Sequence, residues 1–341
     1  MKMDNHMSTS AIDRFCRQYL QLHQDLDYPG KDTLRDIEYQ EKVYQRLFQK
    51  ESITYPPPQR YQLRVLKELL KRIETSIQNW DEEELSDNLF ETLSSLMSSN
   101  LPLEVHSAQQ KAYVTYTVAS LPHKPQLSPT ITLYEARNII SASGTTGLRT
   151  WEATLHLGNY LVANSDLVDG KSVMELGAGT GYVSILCAKH LGASYALATD
   201  GSEEVVDSLH TNTYLNDLQE TTRIESKELK WGYPLTGGEE ATWNRGRRID
   251  LVVGADLTYY ETGIPALVAT FGDLFELFPD VKIVIASIIR NPKTFDVFTK
   301  ACAGHGYLFN EIEFPMTESS KQEGPFYEAK VPIKIASIAK G

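Results

Sequence analysis

Three acids and a set of glycines stand where chemistry would be done. The segment Val173-Met174-Glu175-Leu176-Gly177-Ala178-Gly179-Thr180-Gly181 is an apolar run that stops at closely spaced glycines, with Asp200 ending the next apolar run about twenty residues on. Such a run reads as a buried parallel strand turning sharply into a helix. Gly177 and Gly179 allow close backbone approach to a ligand, and the first amides of the following helix point into the same space. A carboxylate at Asp200 can accept the two hydroxyls of a ribose. The third acid, Asp256, closes a later apolar run, and Tyr259 follows it three residues on.

The glycine spacing separates two nucleotide classes. A dinucleotide fingerprint is G-x-G-x-x-G with room for a pyrophosphate, whereas this loop is G-x-G-x-G with Glu175 two residues ahead of it. A carboxylate there would repel a pyrophosphate and suits the cationic amino-acid end of S-adenosylmethionine. An NAD-linked enzyme stays as the rival reading. Ala255, just before Asp256, is small where a bulky side chain would collide with a cofactor.

These residues need a scaffold, and the pattern after Pro129 supplies one. Apolar segments at 173–176, 196–199, 249–254 and 281–287 alternate with helical ones at 181–191, 202–215, 265–277 and 292–303. That alternation predicts a Rossmann-like parallel sheet with helices on both faces. Two strand candidates, 307–314 and 331–336, follow without a helix between them, as in an antiparallel hairpin. From Ile12 to about Met97 the spacing is helical instead, with Phe15, Tyr19, Leu22 and Leu26 on one stripe and Leu63, Leu66, Leu70 and Ile73 on another. Pro56-Pro57-Pro58 breaks these helices, and Asp81-Glu82-Glu83-Glu84 reads as an acid-rich helix start. Residues 101–129 read as a linker holding one short strand candidate, 113–118. The domains expected are therefore 1–129, a helical extension and linker, and 130–341, the α/β domain.

Composition narrows the partners. The 341 residues carry a formal net charge of −12, which disfavours a bare phosphate backbone as a partner and leaves open a protein with a basic face. No apolar run reaches membrane-spanning length, and Met1 to Ser10 lacks a signal-peptide core, so a cytoplasmic protein away from membranes is expected. Cys16, Cys187 and Cys302 are three and far apart, against a disulfide framework or a zinc site; no metal is expected. The eight histidines, His190 and His305 among them, pair with no carboxylate in the sequence pattern.

Three clusters add a resemblance. Gly147-Leu148-Arg149-Thr150-Trp151-Glu152-Ala153 runs into an apolar helix ahead of the glycine loop; Glu228-Leu229-Lys230-Trp231-Gly232 follows the third strand position; and Asp256-Leu257-Thr258-Tyr259 closes the fourth. In this order they resemble the seven-stranded, class I protein-lysine methyltransferases of family 16, over roughly residues 130 to 341. The helical amino-terminal extension is similar to the branch that methylates a lysine of translation elongation factor 2.

The resemblance implies S-adenosylmethionine as donor, S-adenosylhomocysteine as product, elongation factor 2 as protein partner, no direct nucleic acid and a monomer. It implies that Trp151, Glu175, Gly177, Ala178, Gly179, Asp200, Trp231 and Ala255 line the cofactor and that Asp256 and Tyr259 handle the lysine. Packing alone would also explain either tryptophan. The absence of an Asn/Asp-Pro-Pro-aromatic segment at residues 256–259 counts against planar-nitrogen acceptors. Another acceptor on the same fold, or an interaction module without catalysis, are the alternatives.

Overall fold

The computed structural model describes residues 2–100, 110–122, 129–136, 146–235 and 243–341. Its contacts divide the chain into two units, Met1–Thr117 with Glu323–Phe326, and Val118–Gln322 with Tyr327–Gly341. Residues 101–109 and 123–128 of the expected linker lie outside the described residues.

The first unit is built from helices α1 (Lys2–Leu20), α2 (Lys31–Leu34), α3 (Ile37–Leu47), α4 (Gln59–Ser76) and α5 (Asp87–Ser98), with strand β1 (Ala112–Thr117). Phe15, Tyr19, Val43, Leu66, Leu69, Ile73 and Leu89 are fully buried and form its core. The proline triplet lies between α3 and α4, with Pro58 preceding the first turn of α4. Two expectations fail here. Leu22 and Leu26 fall beyond the end of α1, because the chain turns at Leu22 with a φ of 55°. The acidic run starts no helix: Glu83 caps a turn, accepting the amide of Gln78 at 2.7 Å, and α5 begins only after Ser86, whose hydroxyl accepts the amide of Leu89. The side chain of Gln21 brackets the backbone of Phe326, and Arg17 meets Glu323, which ties Glu323–Phe326 to α1.

The second unit carries the α/β alternation. After β2 (Thr130–Glu135) come α6 (Glu152–Ala163), β3 (Ser172–Leu176), α7 (Tyr182–His190), β4 (Tyr195–Asp200), α8 (Glu203–Tyr214), β5 (Ile224–Glu228) and β6 (Leu251–Ala255). Then follow α9 (Ile264–Leu277), β7 (Lys282–Ile288), α10 (Pro292–Gly304), β8 (Tyr307–Ile312) and β9 (Ile333–Lys340). Seven of these strands form one sheet in the order β5-β4-β3-β6-β7-β9-β8. The first five are parallel, and β9 is antiparallel to both β7 and β8. This is the Rossmann-like seven-stranded class I methyltransferase sheet with the antiparallel end that the sequence led us to expect.

The last strand starts two residues later than expected, because Pro332 cannot donate to a ladder; its carbonyl instead accepts the amide of Ile289. Chain order reverses about β3, with β4 on one side and β6 on the other. In open sheets of this kind a crevice opens beyond the carboxyl ends of the strands at such a point. Asn212 of α8 and Asn216 just beyond its end hold β2: Asn216 pairs with both backbone groups of Thr132, and Asn212 accepts the amide of Tyr134 while donating to the carbonyl of Thr180.

Candidate active site

Gly177, Gly179 and Gly181 all take positive φ, at 60°, 53° and 83°. At Gly177 the requirement is double. A methyl group built there would lie 2.6 Å from Leu257 Cδ2 and 3.4 Å from Trp231 Cζ2, so the loop passes flush beneath the turn after β6 and the indole after β5. The side facing Gly147 is as tight, with 3.1 Å from a methyl at Gly179 to the Gly147 carbonyl oxygen. Thr150 joins this stretch to the loop: its hydroxyl contacts Thr180 at 2.7 Å and donates to Glu135, which also accepts its amide.

Above the loop is a cleft of about 800 Å³, a size suited to a nucleotide-like ligand. Trp151, Gly177, Ala178, Gly179, Asp200, Trp231, Ala255, Asp256 and Tyr259 all line it. Nine of the ten sequence-derived residues thus meet in one place.

Glu175 does not. Its side chain is buried behind the loop, where it accepts the amide and hydroxyl of Ser184 at 2.8 and 2.5 Å in the first turn of α7. In this arrangement the carboxylate braces the start of α7, and it is not among the residues that line the cleft. A strand buried on both faces does not disclose which of its side chains reaches the crevice. Burial pushes its carboxyl up to about 7, against the pull of the Ser184 bonds.

Asp200 is held as a ligand acceptor should be. One carboxylate oxygen accepts the amide of Gly179 at 3.1 Å and the other that of Ser202 at 3.1 Å. The amide of Gly201 bonds to the same carboxylate, so of its about four acceptor positions about one stays open to a ligand hydroxyl. Burial raises its pKa while these amides lower it. Together with the loop's close approach, this fits the ribose and backbone end of a nucleoside cofactor. Among the described residues no group of three His, Cys, Asp or Glu could hold a metal ion.

Asp256 follows β6 with a φ of 56°, a conformation that aspartate and asparagine enter more readily than most residues. It is 9% exposed, and its Oδ2 accepts Arg290 Nη1 at 2.9 Å. Burial raises its pKa, and Arg290 opposes the rise. Tyr259 and Tyr260 are exposed, with ring centroids 4.7 Å apart, and Tyr259 hydrogen-bonds with the side chain of Thr146. Thr146 also accepts the indole N–H of Trp151 through its carbonyl at 3.0 Å.

Sequence reading missed Arg290, Arg149 and Tyr260. The guanidinium carbons of Arg149 and Arg290 lie 4.3 and 5.2 Å from the Trp151 ring centroid. Arg290 comes just after β7, at the same carboxyl-end position that singles out Asp200 and Asp256, so that signal was available. His156, overlooked too, is buried in α6 with its ring nitrogens bonded to the Tyr327 hydroxyl and the Phe314 carbonyl, a core role. His190 and His305 contact backbone carbonyls, Thr130 and Ala301.

Comparison with known proteins bears on this geometry directly. A family model described as "Lysine methyltransferase" matches residues 138–302. Protein-lysine N-methyltransferase EFM3 of Chaetomium thermophilum is 49% identical over 327 residues, covering 96% of this chain and 97% of that relative. EFM3 of Saccharomyces cerevisiae is 31% identical, covering 65% and 64% of the two chains, and protein-lysine N-methyltransferase EEF2KMT of Bos taurus is 27% identical, covering 86% of each. Likeness that spans nearly the whole of both chains includes the sheet, the loop and the cleft alike, and on that footing the chain belongs to the lysine methyltransferase family and is a protein-lysine N-methyltransferase.

Proposed function

We propose that the cleft binds S-adenosylmethionine on the side of Gly177–Gly179 and Asp200, and admits a lysine of elongation factor 2 on the side of Asp256 and Tyr259. The observation that carries this reading is the placement of two acids, Asp200 half-buried and Asp256 buried, on opposite sides of β3, each at the carboxyl end of its strand and both lining one cleft. Bound there, S-adenosylmethionine supplies a methyl carbon on a cationic sulfur. The protein must align that carbon with an amine lone pair.

Asp200 accepts a ribose hydroxyl with its remaining lone pair, and Trp231 and Ala255 give the adenine an apolar, uncrowded wall. Trp151 covers the methionine end. Asp256 captures and orients the incoming side chain, and Tyr259 lines its channel and contacts the amine with ring or hydroxyl. A lysine of ordinary pKa, about 10.4, is neutral about once in 2,500 at pH 7, a penalty of roughly 4.6 kcal/mol. Desolvation between Trp151 and the tyrosines, beside a cationic sulfur, reduces that penalty, so no strong base is needed.

Elongation factor 2 is the acceptor implied by the resemblance of the helical amino-terminal extension, with residues 1–129 read as a substrate-docking or structural element and 130–341 as the catalytic domain. A protein acceptor with a basic face agrees with the net charge of −12. The test is transfer of labelled methyl groups into an extract of cells lacking this enzyme. One labelled band at the mass of elongation factor 2 supports the reading; many bands, or label in nucleic acid, would replace it with another acceptor on the same fold.

A further inference from the structure

The orientation of a lysine by Asp256 contains a conflict. A bare carboxylate beside an ammonium stabilises its charge and holds the proton on, yet methyl transfer needs the neutral amine. The structure contains the counterweight. Arg290 Nη1 sits 2.9 Å from Asp256 Oδ2, and the Arg290 side chain lies against Trp151, 5.2 Å from the ring centroid, inside the same cleft. Its backbone amide is also fixed, donating to the Ile288 carbonyl at 3.0 Å. The carboxylate is not filled by this contact. It has about four acceptor positions, of which Arg290 and the backbone of Ile288 take two.

We propose that Arg290 is a positioning residue for the transfer reaction: it cancels the charge of Asp256, so that the carboxylate aligns the substrate amine by hydrogen bonding without retaining its proton. The proposal rests on the reading of Asp256 given above. The charged and titratable groups facing this pair are Glu152 at the start of α6, Arg149, and Tyr259 and Tyr260 on the turn after β6. Glu152 is itself paired with Arg149 at 3.4 Å, so the two carboxylates around Trp151 each have a guanidinium partner. Arginine suits the task because it never loses its own proton in the working pH range and its planar head packs on the indole.

The test is the pH dependence of kcat for the full-length protein between about pH 6.5 and 10.5, with purified elongation factor 2 as acceptor. In Arg290→Met the uncompensated Asp256 should move the acid limb up by about one unit. That is about tenfold slower turnover at neutral pH, with the gap closing at the alkaline end. Arg290→Lys should keep the limb near the parent position. Asp256→Asn/Arg290→Met, with neither charge, should bring it back down at a lower plateau. Equal loss at every pH in Arg290→Met, or a limb moved to lower pH, would overturn the proposal while leaving Asp256 in its role. An Asp256→Asn variant with an unchanged rate and limb would instead remove Asp256 from the site, and this inference with it.

Discussion

The backbone amide of Gly179 donates to Oδ2 of Asp200 at 3.1 Å, so the loop after β3 and the tip of β4 form one hydrogen-bonded unit. The carboxylate proposed to accept a ribose is thus also the brace that holds the loop. Asp200→Ala removes both functions at once. Calorimetric titration with S-adenosylhomocysteine should show affinity lowered by at least about a hundredfold, the loss of a bond to a charged acceptor together with the brace on the loop. Binding within a few-fold of the parent would remove Asp200 from the site.

Asp256→Asn keeps the shape and the left-handed backbone that Asp256 adopts, and deletes only the charge. Methyl transfer should fall by at least about a hundredfold, with S-adenosylhomocysteine affinity changed by less than about threefold. A variant of unaltered turnover would show that the acid serves the backbone turn alone.

Gly177→Ala tests the packing of the loop. The added methyl meets Leu257 and Trp231 at a φ of 60°, so the variant should lose about 2 kcal/mol or more of stability. Thermal unfolding should report this as a drop of roughly 5 °C. An unshifted transition would mean that Leu257 gives way freely.

Glu175 makes stability depend on pH. Its folded pKa, about 7, lies above the model-peptide value of 4.5, so the native state binds the extra proton. The sign follows: the group's destabilising effect is absent well below pH 4.5, grows as pH rises, and is complete above about pH 7. Glu175→Gln should therefore gain on the parent by about 2 to 3 kcal/mol between pH 5 and pH 8 in denaturant unfolding. A difference independent of pH would place the native pKa of Glu175 near its ordinary value.

Strand ends were the legible part of this molecule. Gly177, Asp200 and Asp256 each follow an apolar run, and where such runs alternate with helices their carboxyl ends converge, so the cleft could be drawn before the fold was seen. Side-chain direction was less legible. Glu175 is one residue from the strand's end and points at Ser184, away from the cleft, because a strand covered on both faces has no polar alternation to mark its sides. Arg290 lies in a loop, where periodicity is silent, and its partner Asp256 is 34 residues away. The acidic run at 81–84 was misread for a local reason: Ser86 captures the helix start that the acids were thought to mark.

Every residue of α7 from Tyr182 to Ala188 is buried, so the helix that the glycine loop feeds has no solvent-facing stripe on which to breathe. Across the cleft from the glycine loop that α7 backs, Tyr259 and Tyr260 are 50% and 42% exposed on a short turn. One wall is preorganised and asks little ordering of itself when a ligand arrives, while the other can reshape around what it meets. Hydrogen exchange should then see α7 open only with global unfolding. Such a molecule could come to accept a new partner through changes in its tyrosine wall, leaving the opposite wall as it is.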